Sequence, residues 1–157
     1  RPVNGPEIAH LYANIVTNLL GSALIQGFAQ VTKSEDVRNW FLRGRDIASK
    51  HVEVFSSLLR DDHLPAPNIW DDAVTTSTTA PFSDKLMMYH IGGLIATGAV
   101  NYGVAAPNSP RRDIMAVYGR LLAEIGKYGE DGVEIMLKHH WMEKVPGAVD
   151  RDAIAAK

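Results

Sequence analysis

Apolar residues recur at alternating steps of three and four along four long stretches of this chain, which is the period of an amphipathic helix. The second stretch has one polar interruption in its apolar row, a histidine at position 51. The row consists of Val37, Phe41, Gly44, Ala48, His51, Phe55 and Leu58. A titratable side chain in such a row is either a core polar residue with satisfied hydrogen bonds or part of a functional site, and the pattern leaves both interpretations open.

The periodicity and the residues that flank it predict four helices and a short tail. The helices cover residues 7–31, 35–62, 84–106 and 110–140, and the tail covers 141–157. Asn4 and Glu7 form a capping box before the first helix, and Ser83 is placed to cap the third. Ser109 is the expected N-cap of the fourth helix, with Pro110 at its first position. The apolar residues of the tail are expected to pack back on the helices.

The long connection between the second and third helices selects the topology. It has about twenty residues, and Pro65, Pro67 and Pro81 exclude a helix there. A chain of that length can extend ~60 Å, whereas a helix of 26 residues is only ~40 Å long. The connection can therefore cross the whole bundle and leave helices 2 and 3 parallel. We predict an all-α protein with residues 1–157 in one four-helix bundle of ferritin-like topology.

The third and fourth helices have unusual compositions. The third has no charged residue from Leu86 to Ala106, yet His90, Asn101 and four glycines argue against a membrane span. We expect it to be the most buried helix or the face of a dimer. Its predicted inward row is Leu86, His90, Gly93, Thr97, Val100 and Val104. Glycines inside the fourth helix indicate close approach of a neighbouring helix, and these are Gly119, Gly126, Gly129 and Gly132.

Charge and cysteine content exclude several classes of function. The net charge is −2 and the basic residues are interspersed with acids, so neither nucleic acid nor a membrane is an expected partner. The chain has no cysteine, which excludes disulfides, zinc knuckles, iron–sulfur clusters and thiol catalysis. The first seven residues are polar and contain proline, unlike a signal peptide. We therefore expect an intracellular protein.

The predicted topology places polar residues of all four helices at one height. Measured from the end where helix 1 begins, Asn18 and His51 lie at ~16 Å, and Thr97 and Glu124 at ~20 Å. With Tyr128 one turn above, these residues are predicted to form a polar layer in the middle of the bundle. The same height holds the two metals of ferritin-like enzymes.

The residues at this height match a metal site poorly. A dinuclear centre needs a Glu-x-x-His motif on each of two helices, and this chain contains none. His51 and Glu124 alone would leave a mononuclear site short of ligands. We predict no cofactor and favour a buried His–Glu pair, with a metal or small-ligand site as the alternative.

Several short sequence segments, taken together, resemble those of a family of uncharacterised proteins from endospore-forming bacteria. The segments are His10–Asn14, Lys50–Glu53, Leu64–Pro67 with Trp70, Pro81–Met87, Arg111–Ile114, Ala123–Ile125, Trp141–Glu143, and Pro146 before Asp150–Arg151. Members often carry two copies of such a bundle, and this chain looks most like the second copy. Some members are described as spore coat proteins. The resemblance implies a ferritin-like bundle and no established reaction or catalytic residue.

These observations favour a non-enzymatic structural or assembly bundle, with the spore coat as a candidate location. The expected partners are a second copy of the chain, forming a dimer, or other coat proteins. The alternative is a ferritin-like bundle that binds a metal or a small ligand at the mid-bundle layer. The missing Glu-x-x-His motif favours the first interpretation over the second.

Overall fold

The computed structural model describes residues 1–156, without the side chain of Asp71, and contains four long helices. These are α1 (Gly5–Val31), α2 (Glu35–Asp61), α3 (Asp84–Ala105) and α4 (Arg112–Lys138). A single 3-10 turn (Asp71–Ala73) interrupts the connection from α2 to α3, and a short helix α5 (Arg151–Ala155) lies near the end. Within residues 1–156 there is no β-strand, as the periodicity predicts.

Contacts between the helix ends fix the direction of each helix. The backbone N–H of Val3 donates to Asp62 at 2.7 Å, so α2 ends where α1 begins. The backbone N–H of Ser34 donates to Asp84 at 3.1 Å, so α3 begins where α2 begins. Because α3 and α4 are joined by a short link, α2 and α3 run parallel and α1 and α4 run the opposite way. The prediction of a four-helix bundle with a long crossover is confirmed.

The helix boundaries follow the capping signals with one exception. Asn4 and Glu7 form the predicted capping box, and the hydroxyl of Ser83 accepts the backbone N–H of Leu86 at 3.2 Å. The prediction that Ser109 caps α4 is wrong, because α4 begins two residues beyond Pro110, at Arg112. Ser109 instead donates its hydroxyl to the carbonyl of Ala105 at 2.9 Å. It therefore satisfies a carbonyl at the end of α3 rather than an amide at the start of α4.

The core consists of two apolar clusters stacked along the bundle axis. The lower cluster surrounds Phe55, Tyr102 and Tyr118, and the upper cluster surrounds Phe28 and Trp40. His51 lies on α2 between them and is fully buried. His51 therefore lies at the height along the bundle at which the sequence predicts the polar layer.

The predicted inward row of α3 is wrong. Leu86, His90, Gly93, Thr97, Val100 and Val104 are all exposed. The buried residues of this helix are Met87, Met88, Ile91, Tyr102 and Ala105. Because α3 is apolar on every side, its pattern does not indicate which side faces the core. It is also not the most buried helix.

The tail after α4 packs on the bundle only at its start. Trp141 and Met142 lie against the upper core cluster. Val145, Val149 and Ile154 are exposed, with 83% of Val145 accessible to solvent. The prediction that the apolar residues of the tail pack back on the helices is therefore wrong beyond Met142.

Candidate functional site

The middle of the bundle contains a continuous chain of side-chain hydrogen bonds from α1 to α4. Asn18 donates its amide to the hydroxyl of Tyr102 at 2.8 Å. That hydroxyl lies 2.9 Å from Nδ1 of His51. Nε2 of His51 lies 3.0 Å from Oε2 of Glu124. Lys50, which precedes the histidine on α2, forms an ion pair with the other oxygen of Glu124. Each of the four helices contributes at least one residue to this layer.

The partners of Asn18 determine the direction of the hydrogen bonds. Its amide nitrogen has two protons, and both are used, one toward Tyr102 and one toward the carbonyl of Asn14 at 2.7 Å. Since the hydroxyl of Tyr102 accepts from Asn18, its own proton goes to Nδ1 of His51. Nε2 of His51 then carries the ring proton and donates it to Glu124. This arrangement requires a neutral imidazole.

The electrostatics of the layer agree with a neutral His51 and an ionised Glu124. Burial lowers the pKa of His51 below its usual value and outweighs the attraction of Glu124. Burial raises the pKa of Glu124, but the hydrogen bonds from Lys50 and His51 together lower it further, so the net pKa lies below the usual range. The carboxylate is half-exposed at the edge of the bundle, and the histidine lies in its interior.

The structure brings together three of the five residues assigned to the layer from sequence. Asn18, His51 and Glu124 belong to it, while Thr97 is exposed and donates its hydroxyl to the carbonyl of Gly93 at 3.0 Å. Tyr102, five residues later on α3, supplies the contact in its place. Sequence reasoning missed it because the assumed inward side of α3 was wrong.

Tyr128, the fifth residue, belongs to a separate aromatic contact between α2 and α4. Its ring stacks on Trp40 with 4.5 Å between ring centroids. The indole N–H of Trp40 donates to the carbonyl of Tyr128 at 3.0 Å, and the hydroxyl of Tyr128 donates to the carbonyl of Trp40 at 3.2 Å. Gly44 lies under the hydroxyl of Tyr128, and Gly132 lies under the indole of Trp40. A side chain at either glycine would occupy the same space as these rings.

An apolar cavity of about 130 Å³ lies beside the polar layer. It opens between α1 and α3, and the ring of Tyr102 forms part of its wall. Its other walls are mostly small or aliphatic, and include Gly21, Ala48, Leu94, Gly98 and Ile125. A cavity of this size and lining can hold a benzene-sized molecule.

The layer has few groups that could hold a metal. Within the described part of the chain, no three His, Asp or Glu side chains lie close enough to bind one ion. His51 and Glu124 supply two ligands, one fewer than the three of a catalytic zinc site. The Nε2 lone pair of His51 becomes available only if the ring proton moves. The donor set therefore does not fit a mononuclear or dinuclear centre.

Two further charged clusters tie the helix ends together. At the base, buried Glu7 accepts from Arg1 at 3.0 Å and from the backbone N–H of Arg111 at 3.1 Å. At the other end, the hydroxyl of Ser34 donates to Asp36 and holds the pKa of that carboxyl well below its usual range. His139 approaches the same carboxylate at 3.0 Å. These clusters join α1 to α4 and α2 to α4, respectively.

Comparisons with known proteins agree with this architecture. The sequence profile of the family described as "Protein of unknown function (DUF3231)" matches residues 1–154. The fold is similar to the crystal structure of a protein from Bacillus halodurans C-125 described as a "putative spore coat protein", with a TM-score of 0.80. The identity is 18%, and the alignment covers 96% of this chain and 98% of that one. No curated protein matches the chain.

Proposed function

The chain belongs to the DUF3231 family, and from this premise we propose that it is a non-enzymatic structural bundle that assembles with other proteins. The observation that carries the proposal is the polar layer. His51 is buried and both of its ring nitrogens are engaged by Tyr102 and Glu124. A general base or a metal ligand needs a free lone pair that faces a substrate or an ion. Here the polar groups are used to join the helices.

The spore coat is the assembly that we propose for this chain. The support is the structural likeness to the Bacillus halodurans protein, whose description names the spore coat. The helix order, with a long crossover between α2 and α3, supports a ferritin-like bundle in which the metal centre is replaced by the hydrogen-bonded layer.

Fractionation of spores tests the proposal. An epitope-tagged chain, produced during sporulation of an endospore-forming bacterium, is expected in the extracted coat fraction. His51→Gln is expected in the same fraction, because glutamine can accept from Tyr102 and donate to Glu124 and thus preserves the layer. Recovery of the wild-type chain only from the soluble contents of the spore core would overturn the proposal.

The cavity between α1 and α3 supports a second candidate, the binding of a small apolar molecule. Gly21 lines this cavity, and a Cβ atom added there would meet no neighbour within 4 Å. Native mass spectrometry of the purified protein tests this alternative. An added mass that is present on the wild-type chain and lost on Gly21→Leu would support ligand binding, and a bare chain in both would oppose it.

A further inference from the structure

The solvent-facing side of α3 carries no Asp, Glu, Lys or Arg from Leu86 to its end at Ala105. Four large apolar side chains are exposed on it, namely Leu86, Tyr89, Val100 and Val104, with 64% of Val100 accessible. Between them lie the small exposed residues Gly93, Ala96 and Thr97. Monomeric proteins rarely leave a continuous apolar surface of this length open to water.

The neighbouring helices extend this uncharged surface on both sides. Leu20 is exposed on α1, and Met115 and Val133 are exposed on α4. After Glu7, α1 contains no Asp, Glu, Lys or Arg. The ion pairs that cross between helices along the bundle join α2 to α4, on the other side of the molecule, as in Arg43–Asp131 and Lys50–Glu124.

We propose that the uncharged face of α3 is a dimer interface whose partner is a second copy of this chain. The inference deepens the proposed function, because it names the surface through which the structural bundle associates with its first partner. In an isologous dimer, a residue i that contacts residue j of the partner has its contact repeated by residue j and the partner's residue i across the two-fold axis. The uncharged face of α3 must therefore be complementary to a copy of itself that is rotated by 180° about the two-fold axis.

The spacing of exposed residues on α3 meets this requirement. Tyr89, Gly93, Ala96, Thr97, Val100 and Val104 lie symmetrically about the midpoint between residues 96 and 97. If two copies pack with α3 antiparallel, Tyr89 lies opposite Val104 and Gly93 lies opposite Val100. Ala96 and Thr97 then meet at the axis, where small side chains permit close approach of the two helices. Larger side chains face smaller ones along the contact, and no charge is buried.

The available area also suits a dimer. A helix of 22 residues is ~33 Å long, and the flanks on α1 and α4 widen the contact to ~20 Å. The product, roughly 660 Å² per protomer, is close to the ~800 Å² per partner of a standard interface. A membrane is the competing occupant, since α1 is long and apolar enough to cross one. Core helices of bundles meet the same criterion, so composition alone does not favour a membrane.

Sedimentation equilibrium with a matched pair of variants tests the inference. The wild-type chain is expected at twice its mass of 17.2 kDa. Ala96→Glu places two carboxylates at the axis and is expected to weaken the dimer about 100-fold or more. Ala123→Glu makes the same change at an exposed position of α4, about 80° around the helix axis from Met115 and Val133, and is expected to leave the dimer intact.

Disulfide trapping gives a second readout that does not depend on a destabilising substitution. The chain has no cysteine, so Ala96→Cys introduces a single thiol beside the proposed axis. Mild oxidation is expected to cross-link the Ala96→Cys dimer and to leave Ala123→Cys monomeric on a denaturing gel.

A wild-type chain that stays at 17.2 kDa at all concentrations would overturn the inference, as would a dimer unaffected by Ala96→Glu. A monomer that co-sediments with phosphatidylcholine vesicles would overturn it in favour of a membrane partner. The dimer interface and the role in the spore coat can be rejected independently. A monomer found in the coat fraction would reject only the interface, and a dimer absent from the coat fraction would reject only the coat role.

Discussion

The histidine at position 51 connects three helices through two side-chain hydrogen bonds. Its ring accepts from Tyr102 of α3 and donates to Glu124 of α4, while its backbone belongs to α2. Removing the imidazole leaves the buried hydroxyl proton of Tyr102 without an acceptor, and an unsatisfied buried polar group costs about 1–3 kcal/mol. Glu124 keeps its ion pair with Lys50. The energetic role of His51 is thus to hold its partners in place.

Replacing His51 with leucine is expected to lower the free energy of unfolding by about 2–4 kcal/mol, because the buried Tyr102 hydroxyl loses its acceptor. His51→Gln retains an acceptor and a donor, so a smaller loss is expected. Urea denaturation of the two variants and the wild type checks this prediction. Equal losses for leucine and glutamine would show that the hydrogen bonds contribute little.

The lowered pKa of His51 predicts a pH-dependent stability. The unfolded chain binds the imidazole proton near pH 6.5, whereas the folded chain binds it only at lower pH. The contribution of neutral His51 to the free energy of unfolding is therefore complete above about pH 6.5. It is lost as the pH falls toward the pKa of His51 in the folded state. The loss is at most about 1.4 kcal/mol per pH unit for one proton.

Urea midpoints measured from pH 7.5 to 5.5 are expected to fall for the wild-type protein and to stay nearly constant for His51→Gln. The carboxyl groups of Glu7, Asp36 and Glu124 have lowered pKa values. Their protonation therefore affects the stability at a lower pH than the range of this experiment. An equal fall in both proteins would assign the effect to another group.

The sequence located part of the polar layer because height along a bundle depends only on the helix rise and the topology. Asn18, His51 and Glu124 were placed at one level in this way. Thr97 was assigned instead of Tyr102, since rotation about the helix axis must be read from an amphipathic pattern that α3 does not have. Lys50 was missed because a lysine beside a buried histidine also suits a solvated helix face.

Helices α2 and α4 are joined by a reciprocal contact in which each supplies an aromatic ring and a glycine. Trp40 lies over Gly132, and Tyr128 lies over Gly44. The glycines of α4 were predicted to permit close helix approach. Gly132 does so against Trp40 and Gly129 lies near Ile95, but Gly119 and Gly126 face open space.

A pair of alanine substitutions on α4 separates these roles. Gly132→Ala is expected to lower the free energy of unfolding by about 1–3 kcal/mol, because its methyl group overlaps the Trp40 ring. Gly119→Ala is expected to raise it by about 0.5–1 kcal/mol through helix propensity alone. Thermal or urea unfolding of both variants gives the comparison, and a stabilised Gly132→Ala would refute the proposed contact.

Helix existence was predictable where polar and apolar faces alternate clearly, as in α2 and α4. The rotation of α3 was not predictable, since its exposed and buried sides are equally apolar. The start of α4 was misplaced because serine can cap the start of one helix or the end of another. The choice depends on whether an N–H or a carbonyl lies within its reach.

The charged and the uncharged surfaces of the molecule lie on opposite sides of the bundle. Ion pairs join α2 to α4 on one side, whereas α1 and α3 present an uncharged surface on the other. The long connection after α2 crosses the bundle and packs Val74 near Gly27 of α1. It leaves the face of α3 uncovered. This division matches the proposed packing of α3 against a second copy of the chain.

The polar interior of this bundle is expected to hold its helices together and to bind no metal. Elemental analysis of the protein, purified without chelator or a histidine tag, checks this expectation. No transition metal above trace amounts is expected in the wild type or in His51→Gln. Near-stoichiometric iron, manganese or zinc that disappears in His51→Gln would contradict it and would identify His51 and Glu124 as ligands.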